Sequence, residues 1–379
     1  MLVKLFLLTI AVLSLCSCTK QEVVEERFYP RNDHEAYWYS LKQADLLATA
    51  LGKEWLAAAK RPFQEQIAIG LPYQESFNIS NQLPDAHGYR FDAKRGQEIL
   101  INIELLSTDT SRVFVDLFRL TNDTLRPFQQ VASADSSLAI SFLPRRNASY
   151  LLRIQPELLR GGKFSITIEN RPSLAFPVAG KDKRAILSVF GDSRDRGKRV
   201  HHGVDIFAKR HTPILAPIKG IIRFVGVRGI GGKVVWLRDR KTGNSLYFAH
   251  LQDFNVKRYQ EVQPGDTLGT VGNTGNARTT PPHLHFGIYN NGPIDPYAFI
   301  VPDYQNTKFT DPDTAGLGRK LTIRKTLLLQ SQMVGESTVL DTLYKGDIIA
   351  LEAINHDYAR VETNSKVTGF LRKRDLALF

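Results

Sequence analysis

Along this 379-residue chain the spacing of apolar residues changes character several times. In residues 33–60, Tyr37, Leu41, Ala44, Ala48, Leu51 and Trp55 recur at alternating intervals of four and three, which predicts a helix with one apolar stripe. Asn32 and Glu35 supply a capping box at its start, and Pro62 ends the pattern. From about residue 72 the interval falls to two. Ile99, Ile101, Ile103 and Leu105 share a face, as do Leu138, Ile140 and Phe142, and later Phe164, Ile166 and Ile168. "VFVDLF" alternates as well. The turn-prone stretches "AKRG", "STDTS", "TNDT" and "LRGG" separate these runs, so residues 72–172 read as an antiparallel β-sandwich.

Pro172 and Pro177 break the alternation and mark a boundary. Residues 173–303 are glycine-rich with short β-like runs: "GIIRFVGV", "KVVWLRD", "SLYFAHL", "DTLGTVG" and "HLHFGIY". A polar linker at 304–317 leads to further β runs over 318–379. The whole is a mainly β, multi-domain chain, longer than one compact core usually holds.

The first residues, "MLVKLFLLTIAVLSLCSCTK", combine Lys4 with an apolar run from Leu5 to Leu15 that is short for a membrane span, so 1–17 reads as an export signal. "LCSC" resembles a bacterial lipobox. The resemblance implies cleavage before Cys18, lipid on Cys18 and a membrane-anchored lipoprotein of the cell envelope, with 18–71 as anchor linker and amphipathic helix. Both cysteines lie in this segment, so the exported domains fold without disulfides or cysteine metal ligands. Loss of residues 1–17 removes Lys4 alone and changes the net charge from +12 to +11. A basic exported protein suits acidic partners such as wall carboxylates or lipid head groups, and that compartment argues against nucleic acid.

Six of the nine histidines fall in 173–303, at positions 201, 202, 211, 250, 283 and 285. On a strand, His283 and His285 point to one side and Leu284 to the other. Two imidazoles on one face suit a transition metal; a catalytic zinc takes three protein ligands and keeps an open position. The best source of further ligands is "HHGVDIF", where His201 lies four residues before Asp205, with Gly203 allowing a sharp turn. His250 ends another β-like run in "LYFAHL". His202 is expected to point elsewhere, and His211 to lie on a surface loop.

The order "HHGVDIF", "LYFAHL", "HLHFGIY" resembles the M23 family of lysostaphin- and LytM-type zinc endopeptidases. Gly265, Gly269 and Gly272 match its glycine rhythm, and Ser188, Phe190, Gly191 and Arg194 its lead-in. The resemblance spans about 120 residues and implies a LytM-type antiparallel β peptidase domain. It implies one zinc ion per chain held by His201, Asp205 and His285, with His250 and His283 as catalytic histidines. Tyr247 stands three before His250, one residue further than in the commonest family spacing. Arg194 and Arg196, with Arg199, are candidates for holding a substrate carboxylate, as is Tyr247 for substrate binding. The thermolysin-like H-E-x-x-H motif is absent.

Residues 318–379 resemble a bacterial SH3-like β-barrel, carried by "LTIR", "VLDTLYKGDIIALEA" and "YARVETNSKVTGFLRKRDL". That resemblance implies binding to cell-wall peptide or glycan. Together these readings describe a lipid-anchored zinc endopeptidase acting on peptidoglycan stem peptides. Two alternatives are a LytM-type regulator without activity, disfavoured because all five motif residues are present, and a zinc endopeptidase of protein substrates.

Overall fold

The computed structural model describes residues 29–106, 111–303, 309–310, 313–314, 316–333 and 336–376. The export-signal and Cys18 readings, and most of the 304–317 linker, lie outside the described residues. Strand accounts for 45% and helix for 14%, which makes the class mainly β. No helix among the described residues is long and apolar enough to cross a membrane.

The expected continuous helix over 33–60 is two helices, Asp33–Gln43 and Ala50–Lys60. Asp45 takes a left-handed backbone (φ 57°), and Thr49 turns its hydroxyl to the Gly52 N–H as a new N-cap, so the chain restarts rather than continues. The first cap is as read: Asn32 Oδ1 accepts from the Glu35 N–H at 2.7 Å. The Glu35 carboxylate, however, takes the Arg31 N–H instead of the cap residue's own. Both helices pack through Leu41 and Trp55 on Phe114 of the sandwich. The Trp55 indole donates to the Pro156 carbonyl at 3.0 Å.

The alternating runs form two sheets. One contains His87–Ala93, Val113–Leu120, Phe128–Ser133 and Ala148–Pro156; the other contains Tyr73–Ile79, Gln97–Leu105, Ala139–Phe142 and Gly162–Pro172. Ile99, Ile101, Ile103, Phe164, Ile166 and Ile168 are all in the core between them. Val113–Leu120 is buried on both faces because the N-terminal helices cover its outer side. There Asp116 is paired with Arg153 at 2.6 Å.

No closed barrel is found among the described residues of 318–379. Its strands keep a small core around Leu329, Leu351, Val361 and Leu371. They also extend the second sandwich sheet: Ser76 and Phe77 pair with Ile354 and Ala353. The sandwich edge is thereby covered, and ten strands make one sheet.

Beside a three-stranded and a two-stranded sheet, eight strands between residues 186 and 294 form one sheet. Its central strands run in the order Val204–Phe207, His283–Tyr289, Ser245–Ala249, Lys233–Asp239 and Gly220–Val227. One face buries Val204, Ile206, Leu246, Phe248, Leu284 and Phe286. By the two-residue period the other face carries Asp205, His283, His285, Tyr247 and Trp236.

Candidate active site

The register of three strands builds the site. His285 lies opposite Asp205 on one neighbour and Ala249 on the other. His201 enters from the segment just before Val204–Phe207. The chain bends at Gly203, as expected, and the residue also serves this arrangement through space. A Cβ there would stand 2.8 Å from the His285 ring and 2.5 Å from the Phe286 carbonyl oxygen.

His201 Nε2, Asp205 Oδ1 and His285 Nδ1 form a triangle with sides of 2.9, 3.0 and 3.0 Å. His201 Nδ1 faces the Val189 carbonyl oxygen at 2.8 Å, and a carbonyl only accepts, so this nitrogen carries the proton. The Nε2 lone pair therefore points into the triangle. Burial raises the Asp205 carboxyl, but the close His201 and His285 rings outweigh it and hold the group well below the usual carboxylate range. Burial lowers the His285 imidazole, partly offset by Asp205. Two imidazoles and one carboxylate, with converging donor atoms, fit a divalent transition metal, and three protein ligands are the number that a catalytic site supplies.

His250 and His283 stand beside this triangle. Their rings meet edge to face at 5.1 Å, and the His250 ring is 6.0 Å from that of His285. His250 Nδ1 donates to the Thr274 carbonyl at 2.8 Å and His283 Nδ1 to the Pro281 carbonyl at 2.9 Å, which leaves Nε2 as the basic atom of each ring. Burial pushes His250 down to about 4, with His283 and His285 adding to the shift. His250 also sits in a left-handed backbone, φ 64°. Such strain is uncommon in a non-glycine residue and is held here by an N–H bond to the Gly231 carbonyl at 2.9 Å.

Of the remaining expected residues, Arg194 reaches the site, but against an expected metal ligand: its guanidinium donates to Asp205 Oδ2 at 2.7 Å and to Ser188 Oγ at 2.5 Å. Arg196 is exposed in a left-handed turn and does not line the cleft. Tyr247 lines it, its ring 5.8 Å from His285, and burial holds its phenol neutral, up to about 12. A Cβ on Gly231 would fall 2.0 Å from the Tyr247 hydroxyl, so that glycine makes the space the phenol uses. His202 is exposed and stacks on Phe190, and His211 is exposed beside Asp253.

The cleft measures about 770 Å³. Trp236 and Tyr289 join Tyr247 on its wall, with ring separations of 4.6 and 5.3 Å from Trp236. The sequence carried a signal for Trp236: a large ring at the outward position of "VVWLR", where alternation puts a solvent-facing side chain.

Residues 199–296 match the model of Peptidase family M23. The L-Ala--D-Glu endopeptidase of Bacillus subtilis (strain 168) is 37% identical over 140 residues, 33% of this chain and 42% of that protein. The Peptidoglycan DD-endopeptidase ShyC of Vibrio cholerae is 37% identical over 94 residues, 25% of this chain and 21% of that protein. The catalytic domain of lysostaphin from Staphylococcus simulans is 30% identical over 29% of this chain and 86% of its own, with a TM-score of 0.27. The chain spans less than half the length of these two curated relatives. All five site residues, His201, Asp205, His250, His283 and His285, fall inside the matched segment, and the chain thus carries a Peptidase family M23 domain.

Proposed function

We propose that this chain is a zinc-dependent endopeptidase, held in the cell envelope, that hydrolyses peptide cross-links of peptidoglycan. The observation that supports it most is the triangle of His201, Asp205 and His285 with two further histidines beside it in one cleft. The Vibrio cholerae relative is named a peptidoglycan endopeptidase, which supports this substrate class, and the two relatives' names differ in the bond cut.

A divalent cation held by His201, Asp205 and His285 would supply Lewis acidity toward the scissile carbonyl and an acidified water. The chain's own groups do the rest. Nε2 of His250 and Nε2 of His283, both fixed by their backbone-bonded Nδ1, carry the proton from the attacking water toward the departing amine. As imidazolium, either donates to the carbonyl oxygen as that oxygen gains charge. The Tyr247 hydroxyl, kept protonated by burial, is a further donor in the cleft. The wall of Trp236, Tyr247 and Tyr289 offers flat apolar contact to a peptide backbone.

The test compares two substitutions in the same protein. His285→Ala should lose both bound zinc, measured by metal analysis, and hydrolysis of defined wall fragments, followed by mass spectrometry. His283→Ala should keep most zinc and lose turnover by about 10²-fold or more. Full hydrolysis by His283→Ala would sink the assigned role, and a purified native protein without stoichiometric metal would sink the zinc assignment.

A further inference from the structure

A second large cleft, about 820 Å³, opens between the sandwich and the Peptidase M23 domain. Five cations line it. Arg95, Arg119, Arg145 and Arg146 come from the sandwich, and Lys241 from the turn between Lys233–Asp239 and Ser245–Ala249. No carboxylate lines it, and among the described residues none of the five has an acidic oxygen within 4.0 Å. The flanking acids are engaged elsewhere: Asp303 with Lys94 (3.1 Å) and Gln97 (2.7 Å), and Glu98 with Arg171 (2.8 Å) and Ser141 (2.8 Å).

Five positive charges stand on one concave wall, and of these Lys241 feels a nearby acid, Glu98; they repel one another and raise the local concentration of anions. Four are guanidinium groups, whose planar fork matches a carboxylate. Gln130 and Asn290 add neutral polar contacts at the rim, and Phe142, Tyr150 and Phe299 form an apolar floor. The cleft also adjoins the catalytic one in sequence. Tyr289 lines the catalytic cleft and Asn290 lines this one, five residues beyond His285. At about 3.3 Å per residue, that is roughly 16 Å of extended chain from His285.

We infer that this cleft is a second binding site, for the free carboxylates of peptidoglycan stem peptides, and that it grips the polymer while a cross-link occupies the catalytic cleft. The inference rests on the hydrolase reading above. It assigns no chemistry to the cleft; it supplies affinity for an extended acidic substrate that a short peptide cannot use.

The experiment reverses two exposed charges, Arg145→Glu with Arg146→Glu, in the full chain, with the melting temperature as a check on folding. Binding is read by sedimentation with insoluble peptidoglycan, in a His283→Ala background so that cutting does not intervene. The double reversal should weaken binding about fivefold to tenfold and flatten its dependence on salt. Peptidoglycan whose carboxylates have been converted to amides should bind the unreversed protein with a comparable loss. In the active background, turnover of a short soluble cross-linked peptide should be unchanged while hydrolysis of intact wall slows. Unchanged sedimentation after charge reversal, or equal binding to amidated wall, would overturn the inference. So would a loss seen only with anionic lipid vesicles. If the native protein cuts neither substrate, the hydrolase reading fails, and the sedimentation comparison still decides the cleft.

Discussion

At the scale of single residues, Arg194 shows how a functional reading shifts once geometry is known. As a sequence feature it was a candidate for holding substrate. In the fold, its guanidinium is fixed on the outer oxygen of Asp205, whose inner oxygen faces His201 and His285. Two effects of removing it oppose each other. A positive charge near a bound dication is lost, which favours metal, and the orientation of a ligand carboxylate is lost, which disfavours it. The Arg194 side chain is 35% exposed, so water screens the first effect, and orientation should win. Arg194→Met is therefore expected to weaken zinc binding about tenfold or more, measured by competition with a chelator. Arg194→Gln, which keeps a donor without the charge, should recover part of that loss. Tighter zinc binding in Arg194→Met would show that repulsion dominates. The five motif residues were legible because their chemistry demands particular side chains at fixed spacing. The Arg194 contact was not, since nothing in the spacing of 194 and 205 distinguishes an ion pair from two solvated groups.

At the scale of elements, the strands of the sandwich were legible because each buries one face, and burial writes a two-residue period into the sequence. The break between the two N-terminal helices was not. It depends on Thr49 capping and on Gly52 packing against the Leu46 carbonyl, where a Cβ would stand 2.0 Å away. Helical spacing on either side continues as if unbroken. The same region holds His34, stacked on Trp55 at 4.9 Å, with Nε2 donating to Gln155 Oε1 at 2.8 Å. Burial, helped by the nearby Arg153 charge, lowers this imidazole from about 6.5 to about 4. The folded state thus favours the neutral ring, while the unfolded chain takes up a proton near 6.5. Stability from this group is fully present above pH 6.5 and is lost as pH falls toward 4. His87, buried beside Arg360, is shifted in the same direction. His34→Gln removes one of these two titrations, so its melting temperature should fall less steeply between pH 6.5 and 4 than that of the native protein. Parallel slopes would mean that His34 titrates normally in the fold.

At the scale of the whole molecule, the C-terminal strands belong to the sandwich as much as to themselves. Backbone pairing of Ser76 and Phe77 with Ile354 and Ala353 joins them, and such pairing leaves no side-chain signature, which is why a separate barrel was the natural reading of the sequence. Beneath the joint, Arg360 lies 3.7 Å from Glu75, and the Tyr89 hydroxyl donates to Glu75 at 2.5 Å. Arg360 and Glu75 are 4% and 2% exposed, so their charges are expensive to bury and depend on each other. Arg360 Nη1 has no hydrogen-bond partner, which means the pair is imperfectly compensated. Arg360→Met alone strands the Glu75 carboxylate in the interior and should cost about 3–5 kcal/mol in urea unfolding. Adding Glu75→Gln removes the stranded charge and should restore most of that loss, because Met fills much of the arginine volume and the amide still accepts from Tyr89. Since the joint carries both a sheet and this pair, the sandwich and residues 320–372 should unfold in one transition. Two separate transitions, with Arg360→Met shifting only one, would show that the C-terminal strands fold as an independent unit and that the shared sheet adds little to either.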